Sequence, residues 1–171
     1  QRTALHCTAY GGHVDICSML IDKGADINVQ SEEGKTALMS ASESGNTNVV
    51  ELLLENEANV NLIDNDQWTA LHCAAQEGHI GICPMLIDKD VDINAQTEQG
   101  KTALMLALES RHTNIVEFLL EKEARVNLTD NDRWTALHRA AQDGHGGICS
   151  MLIDKGADIN AQIADGLTAL T

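Results

Sequence analysis

Thr-Ala-Leu opens at Thr3, Thr36, Thr69, Thr102, Thr135 and Thr168, and the interval between copies never changes. A strict period over a whole chain means stacked copies of one small unit, each burying its apolar face against its neighbours. The expected units are residues 3–35, 36–68, 69–101, 102–134 and 135–167, with a partial unit at 168–171. Neither end carries a polar capping variant, so the chain reads as one repeat domain, residues 1–171, cut from a longer array.

Apolar residues make up 43% of the chain and aromatics only 2%. The core must therefore be aliphatic, with Met and Cys filling gaps. No apolar run approaches a membrane span, and no signal peptide is visible. Net charge is −15, and unit 36–68 alone holds six acids and no Lys or Arg. A field of that sign repels phosphate backbones and anionic lipids, so neither nucleic acid nor a membrane is an expected partner. Five cysteines, an odd number at core-like positions, point to buried free thiols and a reducing compartment. The expected location is intracellular, in cytoplasm or nucleus.

Within one unit, Thr69-Ala-Leu-His-Cys-Ala-Ala-Gln-Glu-Gly78 begins with a capping residue and stops at a glycine. Ile80 through Lys89 supplies a second helical stripe, with Ile82, Cys83, Leu86 and Ile87 facing inward. Asp92 through Lys101 is polar and turn-prone. The pattern predicts helix, turn, helix, long loop.

This pattern resembles the ankyrin repeat, a family marked by a 33-residue period and Thr-Pro-Leu-His-x-Ala. The matching residues are Thr3–His6, Thr69–His72 and Thr135–His138, then Gly12-His13, Gly78-His79 and Gly144-His145, then Gly24–Asn28 and Gly156–Asn160. The resemblance implies an all-α repeat, an ankyrin-repeat solenoid of helix-turn-helix units joined by β-hairpin-like loops.

Departures from the family pattern bear on stability. Ala follows every Thr in place of Pro, and Met39 and Met105 stand where other units have His, which removes a side-chain hydrogen bond. Glu57, Asp90 and Glu123 replace a helix-ending Gly, and Arg111 an inter-helix Gly. At positive φ each costs about 1 kcal/mol. Pro84 interrupts or delays a second helix, and Gly146-Gly147 weakens another.

A second period overlies the first. Unit 36–68 matches unit 102–134 at 23 of 33 positions, and 69–101 matches 135–167 at 23, whereas 36–68 matches 69–101 at only 7. A duplicated two-unit block follows, so features of one unit type recur on every second repeat.

The seven histidines fall in two registers, one at the helix cap and one in the inter-helix turn, and the resemblance makes both structural rather than metal-binding. No phosphate-cradling loop or nucleophile–base–acid set appears, and neither catalysis nor a cofactor is expected. Carboxylate pairs such as Glu32-Glu33 and Asp64/Asp66 read as solvated charge in exposed loops. Asn28, Asn61, Asn94, Asn127 and Asn160 share a register that the family offers to asparaginyl hydroxylases. Bonding to loop backbone within the finger is the simpler role.

By the resemblance, loop tips and first helices line a concave binding face. The residues expected there are Tyr10, Glu32, Glu33, Lys35, Glu43, Asp66, Trp68, Gln76, Glu77, Lys101, Glu109, Asp132, Trp134, Arg139, Gln142 and Asp143. Cys7, Ser40, Cys73, Leu106 and Arg139 form a partly exposed helical register. Trp68 and Trp134, half of all the aromatics, are either hot spots of an interface or rings folded over a neighbouring finger. The functional expectation is a monomeric, non-catalytic scaffold that binds a basic protein or peptide. The alternatives are an interior spacer of a long array, or a regulatory module of an enzyme elsewhere in the parent chain.

Overall fold

A computed structural model describes residues 1–169; Leu170 and Thr171, the end of the expected partial unit, lie outside the described residues. Ten helices follow in order: α1 (Ala4–Tyr10), α2 (Val14–Asp22), α3 (Ala37–Ser44), α4 (Thr47–Glu55), α5 (Ala70–Glu77), α6 (Cys83–Ile87), α7 (Ala103–Glu109), α8 (Thr113–Glu121), α9 (Ala136–Gln142) and α10 (Gly146–Asp154). They form five helix pairs in an all-α repeat fold. Among the described residues no strand forms, only an isolated bridge between Gln162 and Thr168.

The chain divides into two compact units, Gln1–Asp92 and Ile93–Thr171. In the first, α1, α3 and α5 pack side by side, and α2 lies beside α4. In the second, α7 packs on α9 and α8 on α10. Each unit thus has a row of first helices and a row of second helices, with the apolar stripes between them. Leu38, Leu53, Leu71, Ile82 and Leu86 fill the first core; Leu104, Ile115, Leu119 and Leu152 fill the second. Burial of each such side chain contributes about 1.5–3 kcal/mol. Small residues let first helices approach closely, and Ala9 of α1 and Ala37 of α3 are fully buried.

Threonine starts every first helix from an extended backbone. In four pairs its hydroxyl accepts from the N–H three residues on, at 3.2–3.4 Å. The return bond runs from the Thr69 N–H to His72 Nδ1 (3.0 Å) and from the Thr135 N–H to His138 Nδ1 (3.2 Å). Because Nδ1 accepts, Nε2 carries the proton, and His6 Nε2 donates it to the Lys35 carbonyl at 2.7 Å. The loss expected at Met39 is partial: its sulfur accepts the Thr36 N–H at 3.4 Å.

Glu57, Asp90, Glu123 and Arg111 do adopt positive φ, between 61° and 63°, and Gln67 and Arg133 join them at 62° and 65°. The second stripe of the third pair is shorter than Ile80–Lys89. Pro84 enters at the first turn, so α6 begins only at Cys83, and Ile87 is half-buried rather than inward.

Two burial expectations fail. Ser40, Cys73 and Leu106 are buried instead of partly exposed, whereas Arg139 of the same register is half-buried as expected. Conversely, Cys7 is exposed and Cys149 half-buried, leaving Cys17, Cys73 and Cys83 as the buried free thiols.

Candidate functional site: two copies of a loop–helix cluster

Each loop between helix pairs closes as a five-residue hairpin. The first residue's N–H donates to the fifth residue's carbonyl, from Ser31 to Lys35 (2.9 Å), Asp64 to Trp68 (3.0 Å), Thr97 to Lys101 (2.9 Å) and Asp130 to Trp134 (3.0 Å). The first side chain also caps the turn. Ser31 Oγ accepts the Lys35 N–H, and Thr97 Oγ1 the Lys101 N–H, both at 3.2 Å. Asp64 Oδ1 accepts two N–H groups, from Asp66 (3.0 Å) and Trp68 (2.8 Å). Asp130 Oδ1 repeats this with Asp132 (3.0 Å) and Trp134 (2.8 Å).

Neighbouring hairpins are tied together within each unit. Gln30 Nε2 donates to the Ile63 carbonyl and Asn65 N to that of Glu33; Gln96 and Asn131 do likewise to Thr129 and Gln99. The asparagine register bonds across to the next loop rather than within its own finger. Asn28 Oδ1 accepts from Asn59 N (2.8 Å), and Asn94 Oδ1 from Arg125 N (2.7 Å). A finger is therefore braced by its successor.

On this frame the first unit assembles Lys35, Glu43, Asp64, Trp68 and Cys73. Lys35 Nζ lies 2.7 Å from Glu43 Oε2. Burial works to lower the Lys35 pKa, but the hydrogen bond and charge of Glu43 outweigh it and hold the group above 10.5. The Trp68 ring rests 6.0 Å from His72, tilted by 59°. Asp64 contradicts the reading as solvated charge. It is only 8% exposed, and burial raises its pKa above 3.8 despite the two N–H groups on its carboxylate. Burial likewise pushes the Cys73 thiol up to about 12, so it is no nucleophile at neutral pH.

The second unit holds the same cluster two repeats further along the chain. Lys101 Nζ lies 2.6 Å from Glu109 Oε2, and the Trp134 ring 5.9 Å from His138 at 60°. Here Arg139 replaces Cys73. Its guanidinium lies 3.0 Å from Asp130 Oδ2, 3.1 Å from Glu109 Oε1 and 4.5 Å from the Trp134 ring centroid. Glu109 Oε1 accepts no well-angled hydrogen bond and is held by this charge contact.

Of the remaining expected residues, Tyr10, Glu32, Glu33, Asp66, Glu77, Asp132 and Gln142 are exposed, and Gln76 is half-buried. Half-buried Asp143 pairs with Arg111 at 3.3 Å. The residue pattern did not single out Asp64 and Asp130 for the cluster. Their signal was present in the register Ser31, Asp64, Thr97, Asp130, where every residue can cap a turn. Among the described residues, no group of three His, Cys, Asp or Glu could hold a metal ion, and no helix is long and apolar enough to cross a membrane.

No curated protein matches the chain. The family described as ankyrin repeats (3 copies) matches residues 5–97 and 91–163. Such repeats are in general protein–protein interaction modules, typically without catalysis. With that match spanning nearly all of the sequence, and with capped helix pairs joined by braced hairpins, the chain belongs to the ankyrin-repeat family.

Proposed function

We propose that this chain is a non-catalytic binding module for a basic protein or peptide, engaged through hairpin tips and first helices. One observation carries this reading: exposed acids cluster on the hairpin tips next to the half-buried Trp68, with a smaller share near the half-buried Trp134. Glu32 and Glu33 lie on the hairpin bonded to that of Trp68, Asp66 stands two residues before Trp68, and Asp132 two residues before Trp134, next to the exposed Arg133. A negative field steers a cationic partner in, and the indole rings offer apolar area that a peptide can cover. The reading takes the chain as one monomeric repeat domain acting inside the cell.

Selection from an unbiased peptide library on the immobilised chain tests it. Recovered peptides are expected to be rich in Lys and Arg, and their binding to weaken as salt screens the field over about one Debye length. Recovery of neutral or acidic peptides, or affinity indifferent to salt, contradicts the proposal.

A further inference from the structure

We infer that the cluster around Trp68 in the first unit is a receptor for an arginine side chain of a partner peptide, and that Arg139 occupies its duplicate in the second unit as a built-in ligand. The inference deepens the protein-binding reading and rests on it.

The same side chains recur two repeats apart. Lys35, Glu43, Asp64, Trp68 and His72 correspond to Lys101, Glu109, Asp130, Trp134 and His138. Corresponding contacts nearly coincide: 2.7 and 2.6 Å for the lysine–glutamate pair, 2.8 and 2.8 Å for Asp Oδ1 to Trp N–H, 6.0 and 5.9 Å for Trp to His. The one member of the cluster that changes is Cys73 for Arg139.

In the second unit the guanidinium shows what the cluster binds. It stacks on the indole face while its N–H groups reach Asp130 Oδ2 and Glu109 Oε1. In the first unit the matching acceptors have no such cation. Asp64 is more than nine-tenths buried, yet its Oδ2 has no hydrogen-bond or ion-pair partner among the described residues. Glu43 engages Lys35 through Oε2 alone, and its side chain is 37% exposed where that of Glu109 is 24%. The Cys73 side chain is too short and apolar to supply a counter-charge. Asp64 Oδ2 is not sealed from solvent, so it stays reachable, and the raised Asp64 pKa reflects burial that the nearby Lys35 charge only partly offsets. A guanidinium arriving from solvent meets the indole face and both carboxylates; an ammonium can pair with the acids but not stack as a plane.

The test uses the full chain and two probes, Ac-Gly-Arg-Gly-NH2 and Ac-Gly-Lys-Gly-NH2. The readout is the indole N–H signals of the two tryptophans in proton–nitrogen correlation spectra, assigned with Trp134→Phe. In the native chain the arginine probe is expected to shift the Trp68 signal, with half-saturation on the order of 10 mM, and to leave Trp134 in place. At equal concentration the lysine probe is expected to give less than about a third of that shift. Cys73→Arg should abolish the Trp68 response. Arg139→Cys should create one at Trp134.

A still Trp68 signal, equal shifts at both indoles, or equal shifts from both probes would overturn the inference in the native chain itself. So would an Arg139→Cys chain, folded by its backbone spectrum, whose Trp134 stays silent. Basic peptides that bind tightly while Trp68 does not move would sink this inference and leave the wider protein-binding reading standing. An arginine response at Trp68 with no basic peptide recovered from the library would do the reverse.

Discussion

Residues 64–73 and 130–139 fold into the same hairpin and first helix turn, yet they settle their buried charge differently. Asp130 caps its turn with one oxygen and holds Arg139 with the other. Asp64 caps the same turn and leaves its second oxygen without a partner. The turn therefore needs only half of the carboxylate. The other half is free for an internal cation in one unit and, on our reading, an external one in the other. Duplication preserved the geometry, and a single side chain decides whether the cluster is already filled.

If the two units are true equivalents, the heaviest damage should be shared. Leu71 and Leu137 occupy the same register and are 1% and 4% exposed. Truncation of either to Ala is expected to cost about 2–5 kcal/mol in denaturant unfolding. A large loss at one and none at the other would break the equivalence.

The aspartates should separate the units. Asp130→Ala removes two N–H bonds and one of the two carboxylates paired with Arg139, a loss of about 2–4 kcal/mol. Asp64→Ala removes the same two N–H bonds and strands no cation, so about half that loss is expected. Equal costs would mean that the Arg139 contacts add nothing. Exchange of the variable residue gives a smaller effect: Arg139→Cys is expected to destabilise by about 1–2 kcal/mol, and Cys73→Arg to be neutral or stabilising by up to about 1 kcal/mol.

The smallest effect is a pH slope. The folded-state pKa of Asp64 lies above its ordinary 3.8 because of burial. The native state therefore binds more protons in the window just above 3.8, and this group's contribution to stability falls as pH rises through it. Asp64→Asn should lack that component, seen as a flatter stability profile from pH 4 to 7. A native chain whose profile matches the variant's would remove the unpaired carboxylate from the account.

Much of the fold was legible because the repeat period writes each element five times. Thr caps, helix stripes and the positive-φ sites at Glu57 or Arg111 all follow from local rules. The cluster was legible only in part. Lys35, Glu43, Trp68 and their duplicates stood out as exposed charge and rare aromatics. Asp64 and Asp130 did not, because an Asp beside other loop acids reads as solvent-facing until the hairpin folds its carboxylate inward. Cys73 and Arg139 shared a visible register, but its burial depends on helix packing, which a linear pattern does not weigh. α6 illustrates the same limit: Pro84 left open an interruption or a delayed start, and the backbone shows the delayed start, at Cys83.

A crystal structure of the Cys73→Arg chain bears most directly on the equivalence of the two clusters. The account predicts a guanidinium over the Trp68 ring, within hydrogen-bond reach of Asp64 Oδ2 and ion-pair distance of Glu43 Oε1, as Arg139 lies over Trp134. An arginine extended into solvent, with Asp64 and Trp68 unmoved and uncovered, would contradict it.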